Sequence, residues 1–157
     1  MGTMKRLAAM AGCWQGSNRL YDPFSGKPED SASSVVLTPL LGGRFIRLDY
    51  DWSYRGARQE GSLLIGCQPD HGRMSVHWID SWHMSHDVLA CTGAVEESGD
   101  VDVRGSYAAP PGPDWGWRIV IRPAEPAALH VVMHNVTPGG KEDVAVEATY
   151  ARAEVTD

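Results

Sequence analysis

Positive charge is scarce in this 157-residue sequence. Fourteen Lys and Arg stand against 20 Asp and Glu, for a net charge of -6 and a pI near 5.4. A nucleic-acid binder needs a basic face against the phosphates, so the acidic balance argues against that class. Long apolar runs are missing too; none approaches the roughly 18 residues of a membrane span. Cysteine is sparse: Cys13, Cys67 and Cys91 are odd in number, widely spaced and without a C-x-x-C. That pattern reads as reduced thiols in a cytoplasmic protein, not as a disulfide framework. Neither G-x-G-x-x-G nor G-x-x-x-x-G-K-[ST] occurs, which removes the phosphate-cradling loops, and there is no G-x-S-x-G nucleophile turn. Repeats, linkers and low-complexity blocks are absent as well, so one domain over residues 1–157 is expected. A chain of this length buries about 68–70% of its unfolded surface and needs no staple. Lys5-Arg6 followed by Leu7–Ala11 and Cys13 has the outline of a lipoprotein leader. Its apolar stretch falls short of the roughly 7–15 residues such a leader needs. A short amphipathic helix over Lys5–Met10 is expected instead, and it must pack on something to be stable.

What is abundant is punctuation. Seventeen Gly and 10 Pro divide the chain into short patterned runs, with turns every 8–12 residues or so, the mark of an all-β sandwich or barrel. The expected strands are Cys13–Tyr21, Ser33–Pro39, Arg44–Trp52, Glu60–Cys67, Arg73–Trp82, Asp87–Val95, Val101–Ala108, Trp115–Pro123, Ala128–Val136 and Asp143–Arg152. Side chains alternate across a strand, so period 2 assigns the faces. Ile46, Leu48, Tyr50 and Trp52 oppose Arg47, Asp49 and Asp51; Trp117, Ile119 and Ile121 oppose Arg118 and Arg122; Val144, Val146, Ala148 and Tyr150 oppose Asp143, Glu147 and Thr149. Short connections make neighbouring strands antiparallel. Closing the sheet removes both edges. The expected fold is therefore all-β: a closed antiparallel up-and-down barrel of about ten strands with a short N-terminal helix. A barrel of that size is wider than the roughly eight-stranded case whose interior just fills, so an internal cavity is expected.

Five stretches carry a resemblance. Gly12-Cys13-Trp14-Gln15-Gly16 resembles the G-x-W start of calycin-type barrels, the group of lipocalins, fatty-acid-binding proteins and haem-binding nitrobindins. With Gly42-Gly43-Arg44-Phe45, Glu60-Gly61 leading to Gly66, His77-Trp78-Ile79-Asp80-Ser81 and Ala148-Thr149-Tyr150-Ala151-Arg152, the chain is similar over nearly its whole length to a bacterial family of unknown function with lipocalin-like barrels. Cys67-Gln68 departs from that pattern, where relatives tend to carry an aromatic and an acidic residue. The resemblance implies that Trp14 sits at the closed end of the barrel beneath Arg152, as a structural plug.

The chemistry concentrates in His77-Trp78-Ile79-Asp80-Ser81-Trp82-His83-Met84-Ser85-His86-Asp87. His83 and His86 are three apart and could share a metal only across a turn, with no third ligand specified. Asp80 and Ser81 point to opposite faces of a strand and cannot act together in catalysis. Asp80 is best read as a buried carboxylate facing the cavity, and burial obliges it to find a Tyr, Trp or Arg donor. His130 and His134 share one strand face and would line the cavity if that face is internal. The expected function is to hold a small, mainly apolar or amphipathic molecule, lined by Tyr50, Trp52, Trp78, Asp80, Tyr107, Trp117 and Tyr150. No catalytic residue, metal or cofactor is assigned. The alternatives are a haem-binding nitrobindin-like barrel and an enzyme with a cavity Asp or His as acid/base. No membrane or nucleic-acid partner is expected, and a homodimer is compatible with the sequence.

Overall fold

The computed structural model describes residues 2–124 and 127–154. A helix, α1 (Thr3–Ala9), is followed by ten strands: β1 (Gly12–Tyr21), β2 (Pro28–Leu40), β3 (Phe45–Tyr54), β4 (Ala57–Gln68), β5 (Arg73–Asp80), β6 (Leu89–Ala94), β7 (Val101–Tyr107), β8 (Trp115–Ala124), β9 (Ala128–Val136) and β10 (Glu142–Arg152). Each strand pairs antiparallel with the next, and β1 pairs with β10, which closes the barrel. The ring is tight at β1, which matches β2 over its full length from Gly12↔Leu37 to Tyr21↔Pro28. That pairing is why β2 starts at Pro28, earlier than the alternation around Ser33 indicates. The weakest seam lies between β6 and β7, where Thr92↔Arg104 is the one registered pair.

Alternation places most faces as expected, with one exception. A bulge between Val144 and Val146 shifts the register of β10 against β9. Val144 pairs with outward-facing His134, whereas Val146 pairs with buried Met133. The bulge therefore turns Val144 away from the interior, since an extra residue reverses the side-chain parity.

The two ends of the barrel differ. At the end where β1 begins, Leu7 of α1, Trp14, Ile46, Ile65, Met74 and Ile119 are fully buried in a dry core. Seven residues cannot hold a helix alone; burial of Leu7, worth about 1.5–3 kcal/mol, anchors α1. Arg6 ties it further to the β6–β7 turn and to the end of β8, donating to the Ser98 and Pro123 carbonyl oxygens at 2.7 and 2.9 Å. Trp14 Nε1 donates to the Met10 carbonyl at 2.8 Å. The Arg152 guanidinium lies 4.6 Å from the Trp14 ring centroid and donates to the Ala11 carbonyl. The opposite end is bordered by the connections 22–27, 55–56, 81–88, 108–114 and 137–141. It holds the polar interior residues.

Candidate functional site

The strand expected to run to Trp82 ends at Asp80. The cause is local: Asp80 Oδ1 accepts hydrogen bonds from the backbone N–H groups of Trp82 and His83, at 2.8 and 2.9 Å. An Asp side chain that bonds the backbone two residues on bends the chain into an Asx turn. The turn folds Trp82 and His83 back over the barrel opening instead of continuing β5. Asp22 does the same in the β1–β2 connection, accepting from Phe24 N–H at 2.8 Å and from the Tyr54 hydroxyl at 2.9 Å. Trp82 joins the two turns: its ring lies 6.1 Å from Phe24, 5.2 Å from Tyr54 and 5.8 Å from Trp52.

Beneath this cap, Asp80 is the hub. Its side chain is 1% exposed. Oδ2 accepts from the Tyr50 hydroxyl at 2.6 Å and from Trp52 Nε1 at 3.3 Å; Oδ1 lies 3.1 Å from His83 Nδ1. Trp78 Nε1 donates to the Tyr50 oxygen at 2.8 Å. Burial pushes the Asp80 carboxyl up, but the hydrogen bonds it accepts from the His83 ring, the Tyr50 hydroxyl and the His83 backbone outweigh it, and the group settles below the ordinary carboxylate value. Burial, then the neighbouring carboxylate, drives the Tyr50 phenol well above its usual range, so it stays a donor. Tyr150 is pushed up to about 12 by burial, and its hydroxyl shares a 2.8 Å hydrogen bond with Ser33 Oγ.

Tyr50 can occupy this place because β4 has no side chain opposite it. A Cβ on Gly61 would overlap the Tyr50 ring and hydroxyl and approach the Ile79 carbonyl oxygen to 2.7 Å. Gly61→Ala is expected to cost about 1–3 kcal/mol through overpacking. A urea titration checks it; unchanged stability would mean that Tyr50 is not held against β4.

The interior is much fuller than the strand count implies. Residues Asn18, Val35, Leu48, Tyr50, Trp52, Trp78, Asp80, His83, Met133 and Tyr150 are among those around a cavity of only about 20 Å³. That is room for about one water. The cause is side-chain size. Trp78 and Trp117 stack at 5.1 Å and 13°, with the His83 ring 5.4 Å from Trp78 and 5.6 Å from Trp117. The expectation of a roomy internal cavity is corrected accordingly. Above the stack lies an open cleft of about 520 Å³, lined by Pro23, Phe24, Trp78, Trp82, His83, Met84, Asp87, Leu89, Tyr107, Ala108 and Trp117.

The residues singled out in the sequence thus divide. Tyr50, Trp52, Trp78, Asp80 and Tyr150 surround the small inner cavity, whereas Tyr107 and Trp117 wall the outer cleft. Trp14 and Arg152 are at the far end. Among the histidines, His83 borders both spaces. His130 and His134 fall on the outward face of β9, between buried Leu129, Val131 and Met133, and His77 and His86 are exposed. No group of three or more His, Cys, Asp or Glu among the described residues is arranged to hold a metal ion. His83 as a cavity residue, Trp82, Phe24 and the buried Asn18 and Ser33 were not legible as site residues. The signal for the first two was the Asp80-Ser81-Trp82-His83 turn sequence.

Fold and site define a small closed β-barrel with a plugged end and an aromatic open end built over a buried carboxylate. The chain belongs to the family described as "Protein of unknown function (DUF1579)", whose model matches residues 3–152. No curated protein matches the sequence. Among solved structures, it is similar to Rv2717c from M. tuberculosis, at 14% identity over 98% of this chain and 99% of that chain, with a TM-score of 0.62. It is also similar to the S-type phycobiliprotein lyase CPES from Guillardia theta, at 15% identity over 99% and 95% of the two chains, with a TM-score of 0.65. At these identities the likeness is one of fold. No helix among the described residues is long and apolar enough to cross a membrane.

Proposed function

We propose that this protein binds a small, flat, amphipathic molecule in the cleft at the open end of the barrel, against the Trp78–Trp117 stack. The observation that carries the reading is the pairing of that aromatic-walled cleft with His83, one of its walls, whose ring is held from beneath by the buried Asp80 carboxylate. A barrel needs no buried carboxylate to fold, and burying one is costly unless it is fully bonded. A titratable group shifted by its surroundings, at the base of a cleft, is a signature of a site. Trp117 adds a second mark: its Nε1 is buried and has no hydrogen-bond partner. The ligand's contact area comes from the indoles, its orientation from His83. Lodging in the inner cavity would require the 81–88 turn to move, so the cleft, not the barrel's centre, is the primary seat.

The G-x-W start and Arg152 over Trp14 support the resemblance to calycin-type barrels. The free thiols of Cys13, Cys67 and Cys91 support a reducing, cytoplasmic setting. A small-molecule role also accords with a fold shared with a phycobiliprotein lyase, although the cleft's own chemistry is the argument.

Nile red, an uncharged fused-ring dye that fluoresces in apolar surroundings, tests the reading. Trp117→Ala is expected to weaken its binding about tenfold, the equivalent of about 1.4 kcal/mol. Phe45→Ala, in the separate groove beside α1, serves as the control for dye on other apolar surface. Equal affinities for wild type and Trp117→Ala would remove the stack from the site.

A further inference from the structure

The hydrogen-bond network around Asp80 leaves one ring acceptor unspent, on His83. Asp80 receives the Tyr50 O–H, the Trp52 indole N–H and two backbone N–H groups. All are donors, so Asp80 serves as a carboxylate, an acceptor only. The 3.1 Å contact with His83 Nδ1 then requires the hydrogen to lie on Nδ1. A neutral imidazole with its hydrogen on Nδ1 presents a bare lone pair at Nε2. The Tyr50 oxygen is already spent, donating to Asp80 and accepting from Trp78. His83 itself is one of the walls of the cleft.

Apart from His83, the cleft offers one other free side-chain acceptor, the Asp87 carboxylate, whose Oδ1 takes the Val88 N–H at 2.8 Å. Pro23, Phe24, Met84 and Leu89 are apolar, Trp82 brings only a donor, and the Tyr107 hydroxyl donates to Asn135 Oδ1 at 2.5 Å. The titratable groups around His83 are Asp80 on β5, Tyr50 on β3, Asp87 in its own connection and Tyr107 on β7; Asp22 and Tyr54, behind Trp82, bond one another. Those carboxylates disfavour a ligand that arrives as an anion. A ligand that arrives neutral, with a hydrogen to give, meets a positioned acceptor.

We propose that His83 is the acceptor for a weakly acidic O–H or N–H group on the edge of the ligand, with Asp80 as its positioning residue. This rests on the cleft being the binding site. In the step, the ligand's O–H or N–H bond breaks and its electron pair stays on the ligand. The proton forms the new bond at His83 Nε2, and the imidazolium lies between the Asp80 carboxylate and the ligand anion. Net charge is unchanged, and no oxidant or co-reactant enters.

Two coumarins separate this inference from the cleft reading. 7-Hydroxycoumarin carries an ionisable phenol whose neutral and anionic forms absorb at different wavelengths; 7-methoxycoumarin has no such proton. The wild-type protein is expected to bind the hydroxy compound about tenfold more tightly, and to raise its phenolate band at a pH where the free dye is mainly neutral. In His83→Gln the affinity ratio should collapse toward unity and the phenolate band disappear. Asp80→Asn, which keeps the shape but not the charge, should also lose the band; circular dichroism checks that each variant is folded. The band matters because a difference in size between the probes cannot produce it. Equal binding of both coumarins with no phenolate band, or a band that survives in folded His83→Gln, overturns the role of His83 and leaves the cleft standing. Failure of both probes to bind overturns both.

Discussion

Asp80→Ala is expected to destabilise the barrel by about 3–5 kcal/mol, the range for removing one partner from a buried charged network. The substitution deletes the acceptor of the Tyr50 hydroxyl, the Trp52 indole and the backbone N–H groups of Trp82 and His83. It also unfastens the turn that folds the aromatic cap over the opening. Each buried donor left without a partner costs about 1–3 kcal/mol, and a water entering the vacated space recovers part of that. Urea unfolding followed by tryptophan fluorescence measures the loss. A change under about 1 kcal/mol would show that Asp80 is not the hub.

The same carboxylate makes a signed contribution to pH dependence. Its folded-state pKa lies below the ordinary 3.8. Its stabilising effect is therefore complete above the unfolded-state value and is lost as pH falls through the folded-state value. Asp80→Asn should flatten the loss of stability below about pH 4. Some loss will remain, because Asp102 is also held low, first by its hydrogen bond from Arg118, and Asp30 by its hydrogen bond from Arg19. An unchanged acid limb in Asp80→Asn would contradict the assignment.

Gly16→Ala is expected to cost at least about 3 kcal/mol and to leave much of the protein unfolded at ambient temperature. Gly16 sits on β1 opposite Tyr150, in the seam where β1 meets β10 and closes the ring. A Cβ there would overlap the Thr149 carbonyl oxygen and lie 2.9 Å from the Tyr150 Cα. The obstructing atoms are backbone, so no rotamer change relieves the clash; the strands must part. A tolerated Gly→Ala change usually stabilises by about 0.4–1 kcal/mol through the unfolded chain, so the sign is diagnostic. Gly139→Ala, whose nearest neighbour would be a side-chain atom at 3.9 Å, is the control. Equal stability for the two variants would mean that β1 and β10 are not in close register.

Alternation was legible where a strand lies between regular neighbours, because a period of 2 needs only local information. Ile46–Trp52 and Trp117–Ile121 carry their faces openly. It misled at Val144, because a bulge is a relation between two strands and one strand cannot disclose it. It misled again after Asp80, where a side-chain-to-backbone turn ended the strand that the Trp78-Ile79-Asp80-Ser81-Trp82 pattern extends. Asp80 needed donors wherever it was buried, so a Tyr and a Trp partner were foreseeable. That the partners are Tyr50 and Trp52 depends on Gly61 leaving room across β4.

By itself the amino-acid sequence determined an all-β chain, its ten strands to within a few residues, and the need of Asp80 for company. Composition, turn chemistry and alternation are local properties, and local properties are written in order along the chain. Only the tertiary structure decided how full the barrel is. Trp78 and Trp117 come from strands that are not neighbours, and their stacking consumes the space that ten strands could have enclosed. It also decided that His83, and neither His130 nor His134, borders the interior. Free volume and the sharing of one void are properties of side chains meeting across the barrel, and such meetings exist only once the sheet has closed.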